Sequence, residues 1–123
     1  MANIKILLVD DEYFNYEMLS LGLGERFDIH YVGSGKEALT KTIANQPDIL
    51  LLDVCMPGID GYDTCRLLKN TPETKRIPVI MISGLENQSE KDEAFAAGCD
   101  DYITKPFDMA ELLEKIKLYS KQN

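Results

Sequence analysis

Four apolar runs in this chain end in residues that could do chemistry together. Ile6-Leu7-Leu8-Val9 runs into Asp10-Asp11, and Ile49-Leu50-Leu51-Leu52 runs into Asp53. Val79-Ile80-Met81-Ile82 runs into Ser83-Gly84, and Tyr102-Ile103-Thr104 into Lys105-Pro106. If the runs are parallel strands of one sheet, their C-terminal ends share an edge, where open α/β sheets place ligands. Carboxylates, a hydroxyl and an ammonium on one edge suit a divalent cation plus a phosphoryl group. Mg2+ takes oxygen ligands, commonly one or two carboxylates with waters and phosphate oxygens. Crowded carboxylates repel one another unless a cation lies between them. A carboxylate such as Asp53 can also be a nucleophile and form an aspartyl phosphate. That reaction needs charge neutralisation, which Mg2+ and a lysine can supply.

Each residue also has an ordinary reading. Asp10-Asp11 would serve as a solvated turn or a helix cap, and Ser83 as a turn cap. Lys105 would be an exposed surface lysine, as most lysines are. Pro106 restricts Lys105 to extended backbone, which holds it at a strand end. The weight lies in the combination at successive strand ends, not in any one residue.

The elements that must position these residues alternate between strand-like and helix-like. Ile4 to Asp10 reads as a strand buried on both faces, as central parallel strands are. Tyr13 to Leu23 carries Phe14, Met18 and Leu21 at helical spacing, with Gly22 and Gly24 as its end. Phe27 to Val32 alternates apolar and polar residues, the pattern of an edge strand. Ser34 and Glu37 form a capping box before a helix with a face of Ala38, Leu39, Thr42 and Ile43, which Pro47 stops. Ile49 to Asp53 is the third strand, followed by a loop and a helix near Tyr62 to Lys69. Ile77 to Ile82 is the fourth strand. Ser89 with Asp92 caps the next helix, which ends at Gly98, a natural left-handed residue. Asp101 to Thr104 is a short fifth strand. Asp108 with Glu111 caps a last helix whose face is Met109, Leu112, Leu113 and Ile116, and the tail from Ser120 frays. This alternation predicts an α/β fold, a doubly wound (βα)5 three-layer sandwich with a parallel sheet. The edge-like second strand fits the order 2-1-3-4-5.

At 123 residues the chain suits one domain, residues 1–123, with a full hydrophobic core. The net charge of −8 disfavours direct binding to nucleic acid, whose phosphates demand Lys and Arg. No apolar run approaches the roughly 20 residues that cross a bilayer. A strand starting at Ile4 leaves no room for a signal peptide, so a cytoplasmic protein is expected. Cys55, Cys65 and Cys99 form no C-x-x-C pair, and His30 is the one histidine, which argues against zinc. Val32-Gly33-Ser34-Gly35-Lys36 has His30 where a P-loop needs its first glycine, and a helix cap explains it better.

With these motifs placed, the chain resembles a response-regulator receiver domain of two-component signalling from end to end. The matching residues are Asp10-Asp11, Asp53 within Leu51-Leu52-Asp53-Val54-Cys55-Met56-Pro57-Gly58-Ile59-Asp60-Gly61, Ser83, and Lys105-Pro106. The resemblance implies a flavodoxin-like fold and carries part of the strand order. It implies that Asp53 accepts a phosphoryl group from a sensor histidine kinase or a histidine phosphotransfer protein. Asp11, Asp53 and the backbone carbonyl of Cys55 would ligate Mg2+, with Asp10 acting through water. Lys105 would contact the phosphoryl group, next to a cis bond to Pro106. Ser83 would move toward the phosphoryl group and Tyr102 would turn inward. That would couple phosphorylation to the face of the fourth helix, fifth strand and fifth helix. A downstream effector, the protein's own output domain, or a second copy in a phosphorylation-dependent dimer would read this face. Cys55, small and a poor positioner of water, implies slow to moderate loss of the phosphoryl group.

Other readings are weaker. An aspartate-nucleophile phosphatase usually wants a second acid two residues past the nucleophile, where this chain has Cys55. An electron carrier would cradle phosphate in the first loop, where Asp10-Asp11-Glu12 would repel it. A receiver-shaped interaction module without phosphorylation would not need the full set of site residues.

Overall fold

The computed structural model describes residues 4–54, 60–84, 88–104 and 108–120. The elements alternate as β1 (Ile4–Val9), α1 (Tyr13–Leu23), β2 (Phe27–Val32), α2 (Gly35–Asn45), β3 (Ile49–Asp53), α3 (Gly61–Lys69), β4 (Val79–Ser83), α4 (Gln88–Ala96), β5 (Asp101–Thr104) and α5 (Met109–Ser120). The five strands form one sheet in the order β2-β1-β3-β4-β5, and every pairing is parallel. The expected doubly wound (βα)5 fold and strand order are therefore both present.

The uniformly apolar strands work because helices cover both faces of the sheet. Alternate strand residues point to opposite sides. On one side Leu7, Val9, Leu50, Leu52, Val79 and Met81 pack with Ala38 of α2, Cys65 and Leu68 of α3, and Ala94 of α4. On the other side Ile6, Leu8, Ile49, Leu51, Ile80 and Ile82 pack with Leu19 and Leu23 of α1 and Leu112 and Ile116 of α5. The strand β2, read as an edge, is at one edge, and β5 is at the other.

Several local signals act as the sequence indicates. The Ser34 hydroxyl accepts from the Glu37 amide, as expected, while Asp60, for which no cap was expected, caps α3 by accepting from the Asp63 amide. Asp108 accepts from the Ala110 amide at the start of α5. Gly98 has a φ of +103°, a left-handed conformation that side chains rarely adopt.

Other expectations fail for physical reasons. The face of α1 read as Phe14, Met18 and Leu21 is turned to solvent, at 63%, 46% and 83% exposure. Leu19 and Leu23 are the buried pair. Helical spacing fits both rows, and the sheet selects the second. Gly22 does not end α1 but lies inside it, where a Cβ would come within 2.9 Å of the Met109 Cε of α5. Ser89 lies within α4, which already begins at Gln88. Ser120 is the last residue of α5, and the rest of the expected tail, 121–123, lies outside the described residues. Asp10 falls just after β1, and β4 starts at Val79, not Ile77.

The edge of the sheet where the strands begin is tied by fixed polar pairs. The Lys5 amide donates to the Asp48 carboxylate at 2.8 Å, and the Asp48 amide returns a bond to the Lys5 carbonyl at 2.9 Å. One Asp100 oxygen accepts from the Val79 amide at 2.8 Å and from Lys69 Nζ at 2.9 Å. Lys69 Nζ also donates to the Ile77 carbonyl at 2.8 Å. These bonds join α3, β4 and β5 where their backbone groups would otherwise lack partners.

Candidate functional site

The opposite edge, where the strands end, gathers the residues with chemical potential. Val9 of β1 is in register with Leu52 of β3, so the next residues, Asp10 and Asp53, follow neighbouring strand ends. Asp53 is in register with Ile82 of β4, so Ser83 follows beside it. Ser83 is in turn in register with Thr104 of β5. Asp10, Asp53 and Ser83 are all buried, at 2%, 4% and 1% exposure, whereas Asp11 is exposed. Buried carboxylates are rare without partners or a cation, because removing charge from water is costly.

Asp10 is held on both oxygens. Its Oδ1 accepts from the Glu12 amide and its Oδ2 from Asn15 Nδ2, each at 2.9 Å. Carboxylate oxygens of Asp10, Asp11 and Glu12 lie within 4.8 Å of one another. This all-oxygen, strongly acidic set fits a hard divalent cation such as Mg2+ better than a soft metal. Glu12 had no signal in the sequence beyond its place after two aspartates, and Asn15 had none. Asp53 is outside that triple but on the adjacent strand.

Backbone packing fixes Asp53 from behind. The Gly61 amide donates to the Val54 carbonyl at 2.9 Å. A Cβ on Gly61 would lie 2.4 Å from the Asp53 carbonyl oxygen and 2.6 Å from Val54 Cα. Only glycine lets α3 start this close to the end of β3.

Toward β5, Tyr102 is already largely buried and packs in the core on the α2–α4 side of the sheet. Lys91 Nζ of α4 is 6.0 Å from the Tyr102 ring centre, within cation–π range. The Tyr62 hydroxyl of α3 donates to both the carboxylate and the carbonyl of Glu90 in α4. Burial, then that bond and the Glu90 charge, push the Tyr62 phenol well above its ordinary range. On the outer side of β5, Asp101 accepts from Lys115 Nζ at 2.8 Å and from the Tyr119 hydroxyl at 3.0 Å. Burial works against the Asp101 charge, but these donors and the Tyr102 amide hold its carboxyl below the usual range.

On the β2 side, Tyr13, Tyr16 and Tyr31 form a ring cluster with centres 5.3 to 5.5 Å apart. Burial, then the charges of Asp10 and Asp11, raise the Tyr31 phenol. Cys65 and Cys99 are buried thiols pushed up to about 11 and about 12 by burial, which makes them packing residues and not nucleophiles. Of the sequence-derived candidates, Asp10, Asp11, Asp53 and Ser83 come together at this edge, with Tyr102 further back along β5. Lys105, Pro106 and Cys55 lie outside the described residues.

A family model for the response regulator receiver domain matches residues 6–117. The chain belongs to that family. Among the receiver domain's relatives, the response regulator PleD of Caulobacter vibrioides is 37% identical over 92% of this chain and 25% of that protein. The phosphate regulon transcriptional regulatory protein PhoB of Rhizobium meliloti is 38% identical over 92% of this chain and 50% of that protein. The chain thus spans a quarter to a half of these relatives' length. A response regulator structure from Chloroflexus aurantiacus superposes with a TM-score of 0.90 at 38% identity, covering 97% of this chain and 98% of that one. The receiver domain of the sensor histidine kinase PA1611 from Pseudomonas aeruginosa, with magnesium in its active site cleft, superposes with a TM-score of 0.89 at 27% identity, covering 98% and 99%. Among the described residues of this receiver domain, no helix is long and apolar enough to cross a membrane.

Proposed function

We propose that residues 1–123 form one receiver domain that accepts a phosphoryl group on Asp53 and passes the change to a binding face. The reading rests on one observation above all. A buried carboxylate, Asp53, ends β3 beside an acidic triple on one side and a buried hydroxyl, Ser83, on the other. The phosphodonor would be a sensor histidine kinase or a histidine phosphotransfer protein. A carboxylate oxygen of Asp53 attacks phosphorus and the donor's phosphorus–nitrogen bond breaks, leaving an aspartyl phosphate. The protein's contribution is placement and charge, as in phosphoryl transfer generally.

Asp11, Asp53 and the Cys55 carbonyl would hold Mg2+, with Asp10 acting through water and Glu12 adding to the acidic field. Bound Mg2+ would neutralise charge on the phosphoryl oxygens. Lys105, before Pro106, would supply a second positive charge, and Ser83 a hydrogen bond. The small Cys55 side chain gives slow to moderate loss of the phosphoryl group. Self-modification and its reversal are the only catalysis this reading includes. Its function is regulatory.

The proposed output route runs along β4 and β5. Ser83 is paired in register with Thr104, two residues beyond Tyr102. Tyr102 lies under Lys91 of α4. A shift at Ser83 would therefore reach α4, β5 and α5. The acidic chain makes direct nucleic acid binding by this domain unfavourable, so the face would engage an effector, an output domain of the same protein, or a second copy. The setting would be the cytoplasm.

Beryllium fluoride with MgCl2 tests this route. Backbone amide spectra should change at Ser83, Tyr102 and α4 as well as beside Asp53. Changes confined to the residues around Asp53 would contradict the coupling, and no change at all would contradict the phosphoacceptor reading.

A further inference from the structure

We propose that Asn15 is a positioning residue for the Mg2+ site, acting through Asp10; the inference rests on the Mg2+ reading above. Asn15 is in the first turn of α1 and reaches back across the loop after β1. Its own amide donates to the Glu12 carbonyl at 3.0 Å, which fixes its backbone. Its side-chain Nδ2 then donates to Asp10 Oδ2 at 2.9 Å, while the Glu12 amide takes Oδ1 at 2.9 Å. Asp10 is 2% exposed, so water cannot easily replace a lost donor.

The type of donor matters. Asp10 shares its surroundings with Asp11 and Glu12, whose oxygens lie within 4.8 Å of it and repel it. A carboxylate under such repulsion turns away unless its plane is fixed. A lysine or arginine at position 15 could fix it, but would also cancel its charge and compete with the cation. Asn15 has a neutral amide that donates without adding charge. Asn15 thus orients Asp10 without itself offsetting the acidic charge. Groups behind metal ligands commonly set affinity in this way.

The test is calorimetric titration of the whole chain with MgCl2 alone, without any phosphoryl donor. Asn15→Ala should weaken Mg2+ binding about tenfold, the lower end of what such supporting groups contribute. In an Asp10→Asn background the same substitution should change affinity less than about twofold, since the partner charge is gone and the two effects are coupled. Equal loss in both backgrounds would mean that Asn15 merely stabilises α1, and would overturn the inference. Unchanged affinity in Asn15→Ala would also overturn it while leaving the Mg2+ reading standing. Absence of Mg2+ binding by the unaltered chain would instead remove the Mg2+ reading, and this inference with it. If Asn15→Ala does not fold, Asn15→Ser carries the same expectations, because its hydroxyl is too short to reach Asp10.

Discussion

The two edges of this sheet use the same residue type in opposite ways. Where the strands begin, Asp48 and Asp100 are neutralised or bonded by groups from neighbouring elements: the Lys5 amide, the Val79 amide and the Lys69 ammonium. Where they end, Asp10 and Asp53 are buried, and Asp10 has Asp11 and Glu12 close by. The first arrangement lowers the energy of the fold. The second gathers three acidic side chains, with Asp10 held by a backbone amide and a neutral side-chain amide. The contrast fits the proposed site for a cation and an incoming phosphoryl group.

The largest effect expected from this contrast is metal-dependent stability. Anything that binds the native state alone raises its stability, by about 2.7 kcal/mol at a hundredfold excess over Kd. Thermal melts in MgCl2 should therefore shift upward, and the shift should vanish in Asp11→Asn but persist in Asp100→Ala. A shift that survives Asp11→Asn would place the cation elsewhere.

Breaking the other edge has a smaller cost. Asp100→Ala leaves the Val79 amide without its 2.8 Å acceptor and Lys69 without its carboxylate. Denaturant titration should show a loss of about 1–3 kcal/mol, the cost of an unsatisfied buried group. Mg2+ affinity should not change.

The smallest effect sharpens the comparison because its sign reverses. Asp10→Asn removes a charge from the crowded edge at the cost of one of the two bonds that Asp10 accepts, and the charge relief is the larger effect. Without divalent cations it should stabilise the protein slightly, by up to about 1 kcal/mol, since like charges raise the energy of the native state. If Asp10→Asn is destabilising to the same degree as Asp100→Ala, the two edges are alike and the argument fails.

Much of this was legible in sequence because strand identity was written twice, in apolar runs and in what ended them. Leu50, Leu51 and Leu52 are all fully buried, as a two-faced central strand requires. Asp53 and Ser83 ended such runs, so their place at one edge followed from parallel order. The reading of α1 failed because periodicity gives a helix and not its rotation. Phe14, Met18 and Leu21 are as well spaced as Leu19 and Leu23, and only the packing against β1 and α5 separates them. Asn15 was invisible for a different reason. A polar residue in a first helical turn carries no signal until its 2.9 Å contact with Asp10 is known. Gly61 stood inside the motif, but its reason, the approach of α3 to the Asp53 carbonyl, is a matter of three-dimensional packing.

The most direct test is the intact mass of the protein after incubation with acetyl phosphate. The account predicts a gain of one phosphoryl group that requires MgCl2, is absent in Asp53→Asn, and is retained in Asp100→Ala. A phosphoryl group that appears without Mg2+, or that persists in Asp53→Asn, would contradict it.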